Sequence, residues 1–204
     1  MTLVVFIEFT AVIVSAIFGV LLAARTGMDF VGAYAVAFAA AFGGGTLRDL
    51  FLDCSPLFWI GNPHYPVVVF AICIVASFSA RHLPRIKPLL IYPDALGMAL
   101  FTVAGTAIAL EAQSDWFIAA LLGTITGTFG GVLADIVCNE VPTLFRPAPL
   151  CATCSFAGAW VYVFGSHFDF PEAIVATVSL VVVVAFRLLA VHRNWQIPPL
   201  RDHS

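Results

Sequence analysis

The sequence predicts an all-α membrane protein of seven transmembrane helices, built as two inverted three-helix repeats plus a seventh helix, with the second and fifth helices broken at glycines. Composition is the first observation behind this: 61% hydrophobic and 10% charged residues in a chain of 204 make more apolar surface than a soluble core of that size can cover. The second is length. Apolar runs of about 18 to 25 residues suit helices rising ~1.5 Å per residue across roughly 30 Å of hydrocarbon, whereas barrel strands would be shorter and would alternate polar with apolar residues. The third is an internal repeat at a constant offset of 86 positions.

Spans are expected at about 3–24, 30–53, 66–83, 93–112, 115–140, 150–168 and 171–191, within one membrane domain over 1–204. The first has no basic residue before Arg25 and a longer apolar stretch than a signal-peptide core, so it reads as a span. Arg25-Thr26-Gly27 separates it from the second, and the turn Asn62-Pro63-His64-Tyr65-Pro66 leads into the third. Pro84 to Pro88 precedes the fourth span, and Glu111 to Asp115 precedes the fifth. Arg146-Pro147-Ala148-Pro149 and Asp169-Phe170-Pro171 introduce the sixth and seventh, each joining charge to a helix breaker.

An odd number of spans puts the termini on opposite sides. Arg25, Arg81, Arg85, Lys87, Arg146, Arg193 and Arg201 fall on the face that holds the C-terminus, and Glu111, Asp115, Asp169 and Glu172 on the other. The positive-inside rule then predicts the C-terminus in the cytoplasm and the N-terminus outside, and a multi-pass protein of the cell inner membrane is expected. Cys151-x-x-Cys154 has no second pair and no nearby histidine set, so Cys54, Cys73, Cys138, Cys151 and Cys154 read as small buried residues. His64, His82, His167, His192 and His203 are scattered and read as interfacial or solvated. No cofactor is expected, no metal ligand set is assigned, and an enzyme is disfavoured because no nucleophile and base stand at useful spacing.

The repeat carries the functional reading. Residues 8–56 and 94–142 share nine identities without a gap, six of them Gly, Asp or Pro: Gly19/Gly105, Asp29/Asp115, Gly44/Gly130, Gly45/Gly131, Asp49/Asp135 and Pro56/Pro142. The same offset sets Glu8 against Asp94. Each unit holds three spans, so the second enters the membrane from the opposite side, an arrangement that puts functional sites at the repeat interface. Ala33-Ala37-Ala41-Gly45-Asp49 and Ala119-Gly123-Gly127-Gly131-Asp135 each form one stripe on a helix. Close helix packing accounts for the small residues but not for the carboxylates, each costing roughly 2.5–3.5 kcal/mol at a helix centre.

Consecutive glycines, each about 0.8–1.0 kcal/mol worse than alanine in a helix, predict breaks at Gly43-Gly44-Gly45 and at Gly130-Gly131. Thr46, Thr124, Thr126 and Thr128 place hydroxyls around them, either bonded back to the helix backbone or lining a wet path. Arg48 has Ala134 as its counterpart; it either neutralises Asp49 or reaches Asp135 across the pseudo-twofold axis, leaving one uncompensated carboxylate that favours a monovalent cation. Asp53, Asn139 and Glu140 extend the polar ends of the second and fifth spans, where helix-end solvation explains them.

Gly43-Gly44-Gly45-Thr46-Leu47-Arg48-Asp49-Leu50, followed by Pro56-Leu57-Phe58-Trp59-Ile60, resembles the signature of the prokaryotic trimeric intracellular cation (TRIC) channel family. Gly130-Gly131-Val132-Leu133-Ala134-Asp135 is a weaker echo, departing from the pattern at Ala134. The resemblance implies a homotrimer in membrane lipid with a potassium-permeable pathway in each subunit; no nucleic-acid partner is expected. Potassium or sodium is the expected permeant ion. The glycines and the polar residues directly after them are carried over, and the residues expected along the pathway are Gly43, Gly44, Gly45, Thr46, Arg48, Asp49, Thr128, Gly130, Gly131 and Asp135. The competing function is a secondary transporter of a small zwitterion such as glycine, which inverted repeats suit equally well. A non-conducting assembly protein is the third.

Overall fold

In a computed structural model that describes residues 2–78 and 90–197, the chain forms α1 (Thr2–Thr26), α2 (Phe30–Phe51), α3 (His64–Phe78), α4 (Ile91–Glu111), α5 (Trp116–Val137), α6 (Ala152–His167) and α7 (Glu172–His192). A 3-10 turn, Thr143–Phe145, follows α5. The end of the third expected span, the Pro84 to Pro88 stretch, Arg81, His82, Arg85, Lys87, Arg201 and His203 lie outside the described residues. All but α3 and α6 are long and apolar enough to cross a membrane.

The helix ends repeat at the same offset as the sequence. Asp29 and Asp115 cap α2 and α5, their carboxylates accepting from the backbone N–H of Gly32 and Phe117 at 2.8 and 3.3 Å. At the other ends, Asp53 and Asn139 take the left-handed conformation (φ 54° and 57°) just past the cap. There Cys54 N–H donates to Asp49 O at 2.8 Å and Glu140 N–H to Asp135 O at 2.9 Å, the six-to-one bond of a Schellman motif. Asp and Asn tolerate that conformation better than most side chains, so Asp53 and Asn139 have a backbone role beyond solvation.

Packing follows the repeat as well. Within each half, α1 packs on α2 and α4 on α5, with α3 against the first pair and α6 against the second; α7 lies on α4 and α6. The halves join through α1 with α4 and α2 with α5. At the second junction a Cβ on Gly44 would strike the carbonyl oxygen of Thr126, and one on Gly130 would strike that of Ala40. Shifting each position of the first pair by 86, Gly44 upward and Thr126 downward, yields the second pair with the helices exchanged. The two helices therefore cross antiparallel about a pseudo-twofold axis, and their backbones touch where no side chain could fit.

The expected glycine breaks are not formed. Both α2 and α5 remain α-helical through Gly43–Gly45 and Gly130–Gly131. The physical reason is the crossing: intimate backbone contact offsets the low helix propensity of glycine, and an unbroken helix keeps its backbone hydrogen bonds inside hydrocarbon.

Candidate functional site

The first half holds a closed charge centre. Arg48 on α2 is 1% exposed. Its Nε and Nη2 donate to Asp49 Oδ1 at 2.8 and 2.6 Å, and its Nη1 to Glu8 Oε1 on α1 at 2.9 Å. Asp49 Oδ2 accepts the backbone N–H of Phe58 at 2.7 Å, bringing the Phe58 ring 5.3 Å from the guanidinium. Guanidinium over an aromatic face adds a cation–π contact to two charge-assisted pairs.

The second half holds the same kind of centre with its cation supplied from elsewhere. Ala134 leaves the Arg48 position without charge, and Arg187 on α7 takes over, donating from Nη2 to Asp94 Oδ2 at 3.0 Å. Its Nη1 donates to the carbonyls of Pro149 and Leu150, both at 2.8 Å. Asp135 Oδ2 accepts the backbone N–H and the hydroxyl of Thr143 at 2.8 and 3.1 Å. Each centre therefore counts two carboxylates to one guanidinium.

Of the two roles open to Arg48, the structure selects neutralising Asp49; it does not reach Asp135. Asp49 and Asp135 each lie seven positions past the axis point at residues 42 and 128, in opposite directions. At ~1.5 Å per residue they stand about 20 Å apart along the helices, beyond an arginine's reach. The excess carboxylate appears once in each centre rather than once for the pair.

The centres differ in how they are covered. A cleft of about 190 Å³ opens beside the second, lined by Asp94, Asp135, Arg187, Thr128, Gly131 and Leu144. In the first half that space is filled. Phe42, Phe58 and Tyr65 are buried there, and the offset replaces them with Thr128, Leu144 and Cys151. Phe42 and Phe58 pack with tilted rings, centroids 5.9 Å apart, and Phe58 and Tyr65 meet edge to face at 6.0 Å. A Cβ added to Gly45 would meet the Phe58 ring at 2.5 Å; one added to Gly131 would meet nothing within 4 Å. Three aromatics replaced by smaller side chains thus distinguish the packed region from the accessible one.

Of the residues expected in a pathway, Thr128, Gly130, Gly131 and Asp135 line this cleft together. Gly43, Gly44, Gly45, Arg48 and Asp49 are buried in or beyond the helix crossing. Thr46 is engaged as acceptor for Trp59 Nε1 at 3.0 Å. Thr124, Thr126 and Thr128 each donate to the carbonyl four residues back at 2.6 to 2.8 Å, so backbone bonding is satisfied even where Thr126 and Thr128 also face the cleft. Sequence reasoning passed over Arg187, whose signal was a lone arginine in an apolar helix, and left Glu8 and Asp94 as a mere repeat pair.

Comparison with known proteins agrees with this symmetry. A family model described as Glycine transporter matches twice, over residues 5–81 and 91–167, again 86 positions apart. The chain is 33% identical over 199 residues to the inner membrane protein YadS of Escherichia coli, a UPF0126 protein, covering 96% of this chain and 95% of the relative. A solved structure described as the basis for conductance through TRIC cation channels superposes with TM-score 0.87 at 28% identity, covering 98% of both chains. The TRIC orthologue from Rhodobacter sphaeroides superposes with TM-score 0.89 at 27% identity, covering 95% of this chain and all of that one. The chain belongs to the family described as glycine transporters and has the fold of the prokaryotic TRIC channels.

Proposed function

We propose that the protein is a passive monovalent cation channel of the inner membrane, permeable to potassium, with one pathway in each subunit of a homotrimer. The observation that carries this is the second-half cleft, where Asp94 and Asp135 outnumber Arg187 beside threonine hydroxyls. An excess negative charge in a narrow low-dielectric space raises local cation concentration. The likeness to solved TRIC cation channels at 28% and 27% identity supports both conduction and trimeric assembly. With the C-terminus cytoplasmic, the start of α4 and the ends of α5 and α7 face the cytoplasm, and so does the cleft. Purified protein in planar bilayers should give unitary potassium currents, and their absence together with no dissipative flux from liposomes removes the channel reading.

A second reading is carriage of a small zwitterion such as glycine, which the family match and the acid–base lining of the cleft favour. A site packed on one side and accessible on the other is what alternating access requires of an inverted repeat. Saturable, ion-coupled uptake without unitary currents is its signature.

A further inference from the structure

We infer that the Ser15 hydroxyl is a selectivity-determining ligand at the inner end of the second-half cleft, an oxygen that replaces one water on a monovalent cation arriving from the acidic mouth. The inference rests on the channel reading above and gives it a residue on α1. Leu22 packs with Ala134, next to Asp135, and from there inward the α1 residues lining the cleft run Leu22, Phe18 and Ser15. Ser15 stands opposite Gly97 of α4, where an added Cβ would lie 2.5 Å from its Oγ. Asp94 is three positions nearer the mouth, about 4.5 Å along the α4 axis.

Four hydroxyls line the cleft, those of Ser15, Thr126, Thr128 and Thr143. Three are committed as donors: Thr126 to Leu122 O at 2.6 Å, Thr128 to Thr124 O at 2.7 Å and Thr143 to Asp135 Oδ2 at 3.1 Å. Ser15 is 7% exposed and makes no hydrogen bond among the described residues. Its Oγ is nevertheless open to the cleft, unlike the enclosed Tyr65 hydroxyl and Arg187 Nε–H. A serine inside a helix commonly bonds the carbonyl four residues back, whereas Ser15 points toward α4, where Gly97 makes the room. Such a hydroxyl is free to turn its lone pairs to a cation and its proton to water.

The repeat offset sets Phe101 against Ser15. The first half therefore receives an aromatic ring where the second receives a hydroxyl, as at Phe42, Phe58 and Tyr65. Ligand strength then selects the ion. Asp94 and Asp135 gather cations of any kind at the mouth, but a neutral hydroxyl is a weak ligand for an ion that holds its water tightly. Magnesium dehydrates reluctantly, and potassium gives up water more easily than sodium, so passage by Ser15 favours potassium.

Bi-ionic reversal potentials and unitary conductance in planar bilayers test this on Ser15→Ala, with rubidium anomalous scattering from crystals of the parent protein as the second measurement. The variant loses a hydroxyl that bonds nothing in the protein, so its melting temperature should match the parent's. Its potassium conductance and its potassium-over-sodium permeability ratio should each fall at least about twofold. Parent-like values of both in folded Ser15→Ala overturn the assignment. If Ser15→Ala does not fold, or the parent carries no current, rubidium standing in for potassium decides: density at ligand distance from Ser15 Oγ supports the assignment, and none there overturns it. Rubidium beside Ser15 in a parent that carries no current leaves the ligand in place while removing the channel reading, so the two failures are separable.

Discussion

Arg187 of α7 bonds Asp94 of α4 across 93 positions of chain, giving the second repeat the arginine–carboxylate pair that Arg48 and Glu8 form in the first. An appended helix has thus restored a charge that the repeat itself lacks at Ala134. The pair ties α7 to the N-terminal end of α4 while leaving Asp94 partly exposed beside the cleft.

Breaking this pair should be expensive. Arg187→Met strands Asp94 in a mostly apolar surround, and we expect a loss of roughly 3 kcal/mol, the low end for a broken buried pair. Thermal unfolding in detergent should show a lower melting temperature for Arg187→Met and partial recovery in Arg187→Met with Asp94→Asn. No recovery would mean that Arg187 acts through its bonds to Pro149 and Leu150 alone.

The helix crossing makes a second prediction. Gly44→Ala and Gly130→Ala place a methyl against a facing backbone carbonyl and should destabilise by about 1–3 kcal/mol, as overpacked sites do. Gly131→Ala has room and should stabilise by up to about 1 kcal/mol through helix propensity. Equal melting temperatures for Gly130→Ala and Gly131→Ala would count against the crossing described.

Much of this was legible in the sequence because the repeat is gap-free. The 86-position offset matched Asp29 to Asp115 and Asp49 to Asp135, and both pairs occupy equivalent places at helix ends. The state of the glycines was not legible, since a kink and a close crossing ask for the same residue. What separates them is the facing backbone of Thr126 and Ala40, a non-local fact. Arg187 was hidden for a similar reason: its partner lies on a helix that only the tertiary fold brings near. The accessibility of one half followed from Phe42, Phe58 and Tyr65 against Thr128, Leu144 and Cys151, differences visible only once the matching identities are set aside.

Asp135→Asn should lower cation-over-anion selectivity. Its Oδ2 contacts with Thr143 suit an amide oxygen, so the fold should survive while one negative charge leaves the cleft. The reversal potential in a potassium chloride gradient should move toward zero, and an unmoved value would exclude Asp135 from the pathway.

Asp49→Asn should act through stability instead. Asp49 is 2% exposed and holds both Arg48 and the Phe58 backbone, so the variant should melt at a lower temperature. A well-folded Asp49→Asn with altered selectivity would show that ions reach the first centre.

In the proposed channel, ions cross through the second-half cleft. Unitary potassium current through the parent protein and through Leu144→Phe, recorded in planar bilayers with melting temperatures checked in parallel, tests it most directly. Clear openings are expected for the parent, and a conductance at least halved when the phenylalanine fills the cleft. Parent-like conductance in a folded Leu144→Phe would contradict it.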